Sequence, residues 1–107
     1  MQPIGTHNYY VYIVTNKNKT VLYTGVTNSL QTRIQQHYDK AKELRPKSFA
    51  GKYNAYYLLH YERFEYINDA ISREKEIKGW LRSKKEALIN NTNPDWRFLN
   101  QDIGLTF

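Results

Sequence analysis

A chain of 107 residues allows one domain with a modest core and leaves no room for a second. It holds no cysteine, which excludes disulfides and thiolate metal sites, and it shows neither a membrane-length apolar run nor a signal-peptide pattern, so a cytosolic protein without membrane association is expected. A net charge of +6 and a pI near 9.5 suit a polyanionic partner, nucleic acid first and an anionic membrane surface second.

Residues 1–8 are polar, contain Pro3 and Gly5, and are expected to form a loose arm. Tyr9 to Thr15 is aromatic and β-branched throughout and reads as a strand. Asn16 to Lys19 is a turn sequence, and Thr20 to Val26 returns as a second strand, closing a hairpin. Gly25 permits a tight backbone or the close approach of a ligand. Thr27, Asn28 and Ser29 each carry an acceptor suited to a helix N-cap. A helix follows from about Ser29 to Leu44, with Leu30, Ile34 and Ala41 on its apolar stripe. Arg33 and His37 stand four residues apart, so they share one face at the edge of that stripe.

Arg45 to Lys52 holds Pro46, Ser48 and Gly51 and reads as a loop. Tyr53 to Glu62 reads as the third strand, with imperfect alternation that implies partial cover on both faces. A second helical pattern begins at Ile67, with Asn68 or Asp69 as its cap. Gly79 should bend or break it, since glycine inside a helix costs ~1 kcal/mol relative to alanine. A last helix is expected from Leu81 to Ile89, ended by Asn90 to Pro94. Trp96, Phe98 and Leu99 of the tail should dock on the core. The order β-β-α-β-α-α makes a small α+β fold, a three-stranded antiparallel sheet flanked by helices. The domain is expected over residues 9–99, with 100–107 as a C-terminal tail.

Glu74 is out of place. It falls within the apolar stripe of Ile67, Ala70, Ile71 and Ile77, where a carboxylate costs several kcal/mol unless it is paired or holds a metal. A salt bridge to Arg33, Arg73 or Lys78 is the simpler explanation. A metal site is the sharper one.

With Arg33, His37 and Glu74 in view, the chain resembles the GIY-YIG nuclease superfamily, which includes the nuclease subunit of bacterial excision repair and intron-homing endonucleases. Tyr10-Val11-Tyr12 matches its first signature and Tyr23-Thr24-Gly25 its second. Tyr12 precedes Tyr23 by eleven residues, Tyr23 precedes Arg33 by ten, and Arg33 precedes His37 by four, all in the family register. Glu74 falls where the family places its metal-binding glutamate. The segments from Arg73 to Trp80 and from Asn93 to Trp96 look like the short single-domain branch. Tyr10 replaces the first glycine and Thr24 an aliphatic; both are framework positions. Asn90, Asn91 and Asn93 compete for the family's late asparagine, with Asn93 preferred.

The resemblance implies a metal-dependent DNA endonuclease. Glu74 would hold one Mg²⁺ or Mn²⁺, a hard cation suited to carboxylate oxygen. Arg33 would grip the phosphate through its planar fork. Tyr12 would act as general base or as part of a relay to the water, with Tyr23 and His37 orienting both. These five residues should line one concave surface. Lys47, Lys52, Arg82, Lys84 and Lys85 are candidates for phosphate-backbone contacts, which position DNA without reading its sequence. DNA is the implied partner, branched and single-stranded forms among the candidates. No attached DNA-binding domain is visible, so a partner protein supplying specificity is a further expectation. The alternatives are a non-catalytic or weakly catalytic nucleic-acid-binding module on the same fold, and an adaptor for an acidic protein, which leaves Glu74 unexplained.

Overall fold

The computed structural model describes residues 7–107. The arm expected over residues 1–8 lies outside the described residues as far as residue 6. Three strands, β1 (Tyr9–Thr15), β2 (Leu22–Thr27) and β3 (Tyr57–Phe64), form an antiparallel sheet in the order β2-β1-β3. The helices are α1 (Leu30–Ala41), a single turn α2 (Phe49–Lys52), α3 (Ile67–Lys78) and α4 (Arg82–Thr92), followed by a 3₁₀ turn over Gln101–Ile103. The α+β class and the three-stranded antiparallel sheet flanked by helices are as the sequence implied.

The central strand explains the layering. Val11 and Ile13 point into one core with Ala70 and Ile77 of α3 and Ile89 of α4. Tyr12 and Val14 point into the other with Leu30 and Ile34 of α1. Both faces of β1 are therefore covered, which is why its sequence is apolar without alternation.

Local chemistry sets the element ends. Asn16 ties the hairpin turn: its Oδ1 accepts from the backbone N–H of Thr20 at 2.8 Å and of Val21 at 3.3 Å. Of the three candidate caps for α1, Ser29 takes the role, accepting from the Thr32 N–H. The helix stops at Ala41 rather than Leu44. The stretch expected as a loop before β3 contains α2, capped by Ser48 through the Gly51 N–H. The third strand starts at Tyr57, not Tyr53, because Asn54 sits in the left-handed region (φ 55°) and turns the chain there. At α3 neither Asn68 nor Asp69 is the cap. Tyr66 holds that position without a side-chain bond, and Asp69 instead faces the positive helix end from the first turn. Gly79 is the α3 C-cap, so the expected break is real, and α4 runs from Arg82 to Thr92 rather than from Leu81 to Ile89.

The tail closes the fold. Trp96 and Phe98 pack with the α3–α4 core, whereas Leu99, Ile103, Leu105 and Phe107 pack with the α1 core. To reach both, the tail crosses the open edge of β3. The Leu99 N–H donates to the Leu58 carbonyl at 2.8 Å. Asn100 then fills the place of a further strand: its Oδ1 accepts from the Leu58 N–H at 2.8 Å and its Nδ2 donates to the Tyr56 carbonyl at 2.9 Å. Asn93 does the same one residue further on, donating to the Leu59 carbonyl at 3.0 Å. An exposed edge of unpaired backbone groups is thereby covered. Asn100→Ala strands a buried N–H and a part-buried carbonyl and should lower stability by about 1–3 kcal/mol. Urea unfolding of the variant checks this, and an unchanged midpoint would contradict it.

Candidate active site

Tyr12 lies at the centre of β1, opposite Gly25 on β2 and Tyr61 on β3. Its ring turns toward α1 and crosses Gly25. A Cβ built on Gly25 would fall 2.3 Å from Tyr12 Oη and 2.4 Å from Cζ, so a side chain there would collide with the phenol. Gly25 is not a turn residue, since β2 continues to Thr27 and Gly104 alone of the described glycines has positive φ. It is bare because a ring occupies the space a side chain would need.

The phenol meets two residues of α1. Tyr12 Oη lies 2.8 Å from His37 Nε2, and Arg33 Nε donates to it at 3.4 Å. Arg33 also donates through Nη1 to Gln36 Oε1 at 3.1 Å. The Tyr23 ring stands edge-on to His37, with centroids 5.6 Å apart. One helical turn separates Arg33 from His37, so the i, i+4 spacing brings both onto the same phenol. An arginine can only donate, so Tyr12 accepts there; toward His37 the phenol donates when the imidazole carries its proton on Nδ1 and leaves Nε2 bare.

Electrostatics set the charge state of both groups. Burial pulls the His37 imidazole down to about 4, and the charges of Arg33 and Lys40 add to the effect, so the ring is neutral at pH 7. Burial likewise pushes the Tyr12 phenol up to about 12, with Arg33 opposing and the charges of Tyr23 and Glu74 adding. Tyr12, first through its hydrogen bond, keeps Arg33 protonated above its usual range.

Glu74 stands on α3, in a different layer. α3 packs against the other face of the sheet but also against the edge strand β2. Glu74 lies between Ala70 and Ile77 on the inward stripe, its side chain 15% exposed. Its Oε1 is 3.3 Å from Lys78 Nζ, which itself lies 5.9 Å from the centroid of the Tyr23 ring. At the β2 edge, then, an α3 side chain meets Tyr23, and the Glu74 charge is felt at Tyr12. Of the three cations open to it, Lys78 is the partner. Arg73 is taken by Glu62 and Glu76.

No group of three or more His, Asp and Glu side chains among the described residues could hold a metal ion. Glu74 is a single carboxylate, with Oε1 in the Lys78 pair. That donor set does not suit zinc, which takes three or four protein ligands. It suits a hard divalent cation that keeps several waters and takes further oxygens from a phosphate.

The remaining expected site residues separate. Lys47 lies just before the α2 turn and Lys52 ends it, both exposed, and Phe49 of that turn stacks on Tyr23 with centroids 5.8 Å apart. Arg82 is engaged elsewhere: it donates to the Thr20 carbonyl at 2.8 Å, to the Lys19 carbonyl at 3.1 Å and to Glu86 at 3.1 Å, clamping the hairpin turn onto α4. Lys84 lies over the Trp80 ring at 4.5 Å, and Lys85 is half-buried. Asn93 is the buried C-cap of α4, bonded to Leu59 and Arg97. A cleft of ≈ 370 Å³, lined by Tyr10, Asn28, Ser29 and Tyr61 among others, opens nearby, and none of the five signature residues lines it. Tyr10 fills the first signature's glycine position by packing edge-on against Tyr61. The buried hydroxyl of Thr24 finds no partner, in keeping with an aliphatic position. Sequence reasoning missed two polar groups. Asn100 gave no local signal, because its partners are 42 and 44 residues away. His60, bonded to Thr92 at 2.9 Å and Glu62 at 2.7 Å, sits in a strand whose burial the sequence left ambiguous.

A sheet whose central tyrosine meets an arginine and a histidine from the first helix is the framework of a nuclease-superfamily domain. The family model of the GIY-YIG catalytic domain matches residues 8–87, and the chain belongs to that family. It is 36% identical over 84 residues to a UPF0213 protein of Natronomonas pharaonis, covering 77% of this chain and 91% of that one. A UPF0213 protein of Clostridium perfringens is 38% identical over 98 residues, covering 90% and 98%. The solution NMR structure of a UPF0213 protein from Bacillus halodurans has the same fold, with a TM-score of 0.53 and 26% identity over 92% of this chain and 99% of that one. No described helix is long and apolar enough to cross a membrane.

Neutral His37 has a consequence for stability. Its folded value, about 4, lies below the ordinary 6.5, so between those limits the unfolded chain binds a proton that the folded chain refuses. Stability should therefore be full above pH 6.5 and decline as the pH falls to about 4. Replacing the imidazole in His37→Gln should flatten this slope relative to the native chain, as denaturant titrations at pH 7.5, 5.5 and 4 would show. Parallel slopes would contradict a buried neutral imidazole.

Proposed function

We propose that this protein is a metal-dependent endonuclease that hydrolyses DNA phosphodiester bonds at Tyr12, Tyr23, Arg33, His37 and Glu74. The observation that carries the reading is the contact of one phenol with a neutral imidazole at 2.8 Å and a guanidinium at 3.4 Å. With its phenol pushed up to about 12, Tyr12 is not ionised near neutral pH and cannot serve as a ready phenolate. It can serve as a relay. Tyr12 takes a proton from the attacking water as its own passes to His37 Nε2, and hydroxide attacks phosphorus as the 3′-oxygen leaves and takes a proton from solvent water, the imidazolium later returning its proton to solvent. A phosphate at Arg33 brings negative charge beside His37 and favours the imidazolium that forms. Arg33 grips the phosphate oxygens while its Nε steadies the phenol. Tyr23, edge-on to His37, keeps the ring in line. Glu74 would hold the single Mg²⁺ or Mn²⁺, which when bound stabilises charge on the phosphate and on the leaving oxygen.

Lys47 and Lys52, exposed beside the α2 turn, are the lysines best placed to hold the flanking backbone. Arg82 already has its donors engaged at the hairpin turn. Specificity for a DNA structure, and any partner protein that confers it, would act through this same surface.

Glu74→Gln tests the proposal. It keeps the shape, and loss of a partly exposed lysine pair costs at most ~1 kcal/mol, so the melting temperature should hardly move. Cleavage of supercoiled DNA in Mg²⁺ or Mn²⁺ should fall at least ~100-fold, the equivalent of ~3 kcal/mol of transition-state stabilisation. A variant that melts much earlier yet cuts at the native rate per folded molecule would overturn the assignment.

A further inference from the structure

The ion pairs of the described residues divide by the type of cation. Glu62 and Glu76 are held by Arg73, Glu86 by Arg82 and Asp102 by Arg97, and His60 adds a second contact to Glu62. Glu74 alone is held by a lysine. The distinction is physical. Arginine grips a carboxylate with a rigid, multi-donor fork, as Arg97 does on Asp102 at 3.0 and 2.8 Å. Lysine offers a single, strongly hydrated point charge on a flexible stem. The pair at Glu74 is also long, at 3.3 Å.

The lysine has places to go. Lys78 is the last residue of α3, where the helix end favours a cation whether or not the carboxylate is engaged. Its ammonium already lies within reach of the Tyr23 ring, 5.9 Å from the centroid, and its side chain is half exposed. Leaving Glu74 therefore sacrifices one weak contact and keeps two others. The i, i+4 order, glutamate before lysine, makes the pair form spontaneously when nothing else claims the carboxylate.

We infer that Lys78 is a positioning residue: a tethered stand-in for the divalent cation, holding the Glu74 carboxylate in its half-buried place and released when the ion arrives. The inference rests on the reading of Glu74 as metal ligand. It gives Lys78, which lies outside the five proposed catalytic positions, two effects of opposite sign. Lys78 keeps the free carboxylate compensated, and it competes with the ion for that carboxylate. An arginine in its place would hold the carboxylate harder and compete more strongly.

Mn²⁺ binding measured without DNA, by calorimetry or by the loss of the free-ion electron paramagnetic resonance signal, tests this directly. Lys78→Met keeps the stem and removes the charge. It should bind Mn²⁺ about two- to fivefold more tightly than the native chain, the range that removing a competing, partly exposed ion pair gives. Lys78→Arg should bind more weakly than native, and Glu74→Gln should abolish the difference between lysine and methionine at position 78. Each variant's thermal melt in EDTA shows that it is folded, which the exposure of Lys78 makes the expected result. If Glu74→Gln alone binds Mn²⁺ as well as the native chain does, the metal-ligand reading itself fails. If Glu74 is required but Lys78→Met binds no more tightly than native, only the role given to Lys78 is overturned.

Discussion

Everything at this site depends on the Tyr12 ring lying across Gly25. A central strand covered on both faces is a poor place for a polar group, yet the phenol there is fully buried. It is tolerated because its oxygen has partners on α1 in His37 and Arg33. Those partners reach it because the neighbouring strand offers no side chain at position 25. The same burial that makes the bonds necessary makes the imidazole neutral and the phenol reluctant to ionise. Structure and chemistry therefore follow from a single constraint, an obligatory hydrogen-bond acceptor and donor placed inside a core.

The second organising feature is the edge position of β2. Helices on opposite faces of a sheet cannot ordinarily share a site, because the sheet stands between them. At an edge strand they can. α1 supplies the guanidinium and imidazole from one side, and α3 supplies Glu74 and Lys78 from around the edge. The opposite edge, at β3, is closed instead by Asn93, Leu99 and Asn100 of the returning chain. One edge is sealed by the returning chain, and at the other Lys78 of α3 meets the Tyr23 ring.

That division also explains what could be read from the sequence. Arg33 and His37 were legible as neighbours because one helical turn carries their geometry, whereas Tyr12 and Tyr23 stood out only through the resemblance to the family's signatures. Glu74 was legible as an anomaly, a carboxylate on an apolar stripe, although its partner could not be chosen from three cations. The asparagines that seal β3 were not legible, or only as a family position, because an asparagine side chain looks alike in a turn and on a sheet edge. Its role appears only when the tail returns to a strand more than thirty residues earlier. Arg82 misled in the same way. Within its own helix it is an ordinary basic residue, and only the hairpin turn, 62 residues away, claims it. The start of β3 was misplaced because tyrosines that favour strands also pack in turns, as Tyr56 does tilted against Tyr57 and edge-on to Phe107.

The central claim is that a buried phenol moves a proton during phosphodiester cleavage, and Tyr12→Phe addresses it most directly. The substitution removes one oxygen and leaves the ring across Gly25, so the fold and DNA affinity should persist. Cleavage of DNA in Mg²⁺ or Mn²⁺, measured per folded molecule, should fall by ~10²–10⁴-fold, the usual contribution of a positioned proton-transfer group. A folded Tyr12→Phe protein that cuts DNA at the native rate would contradict the account.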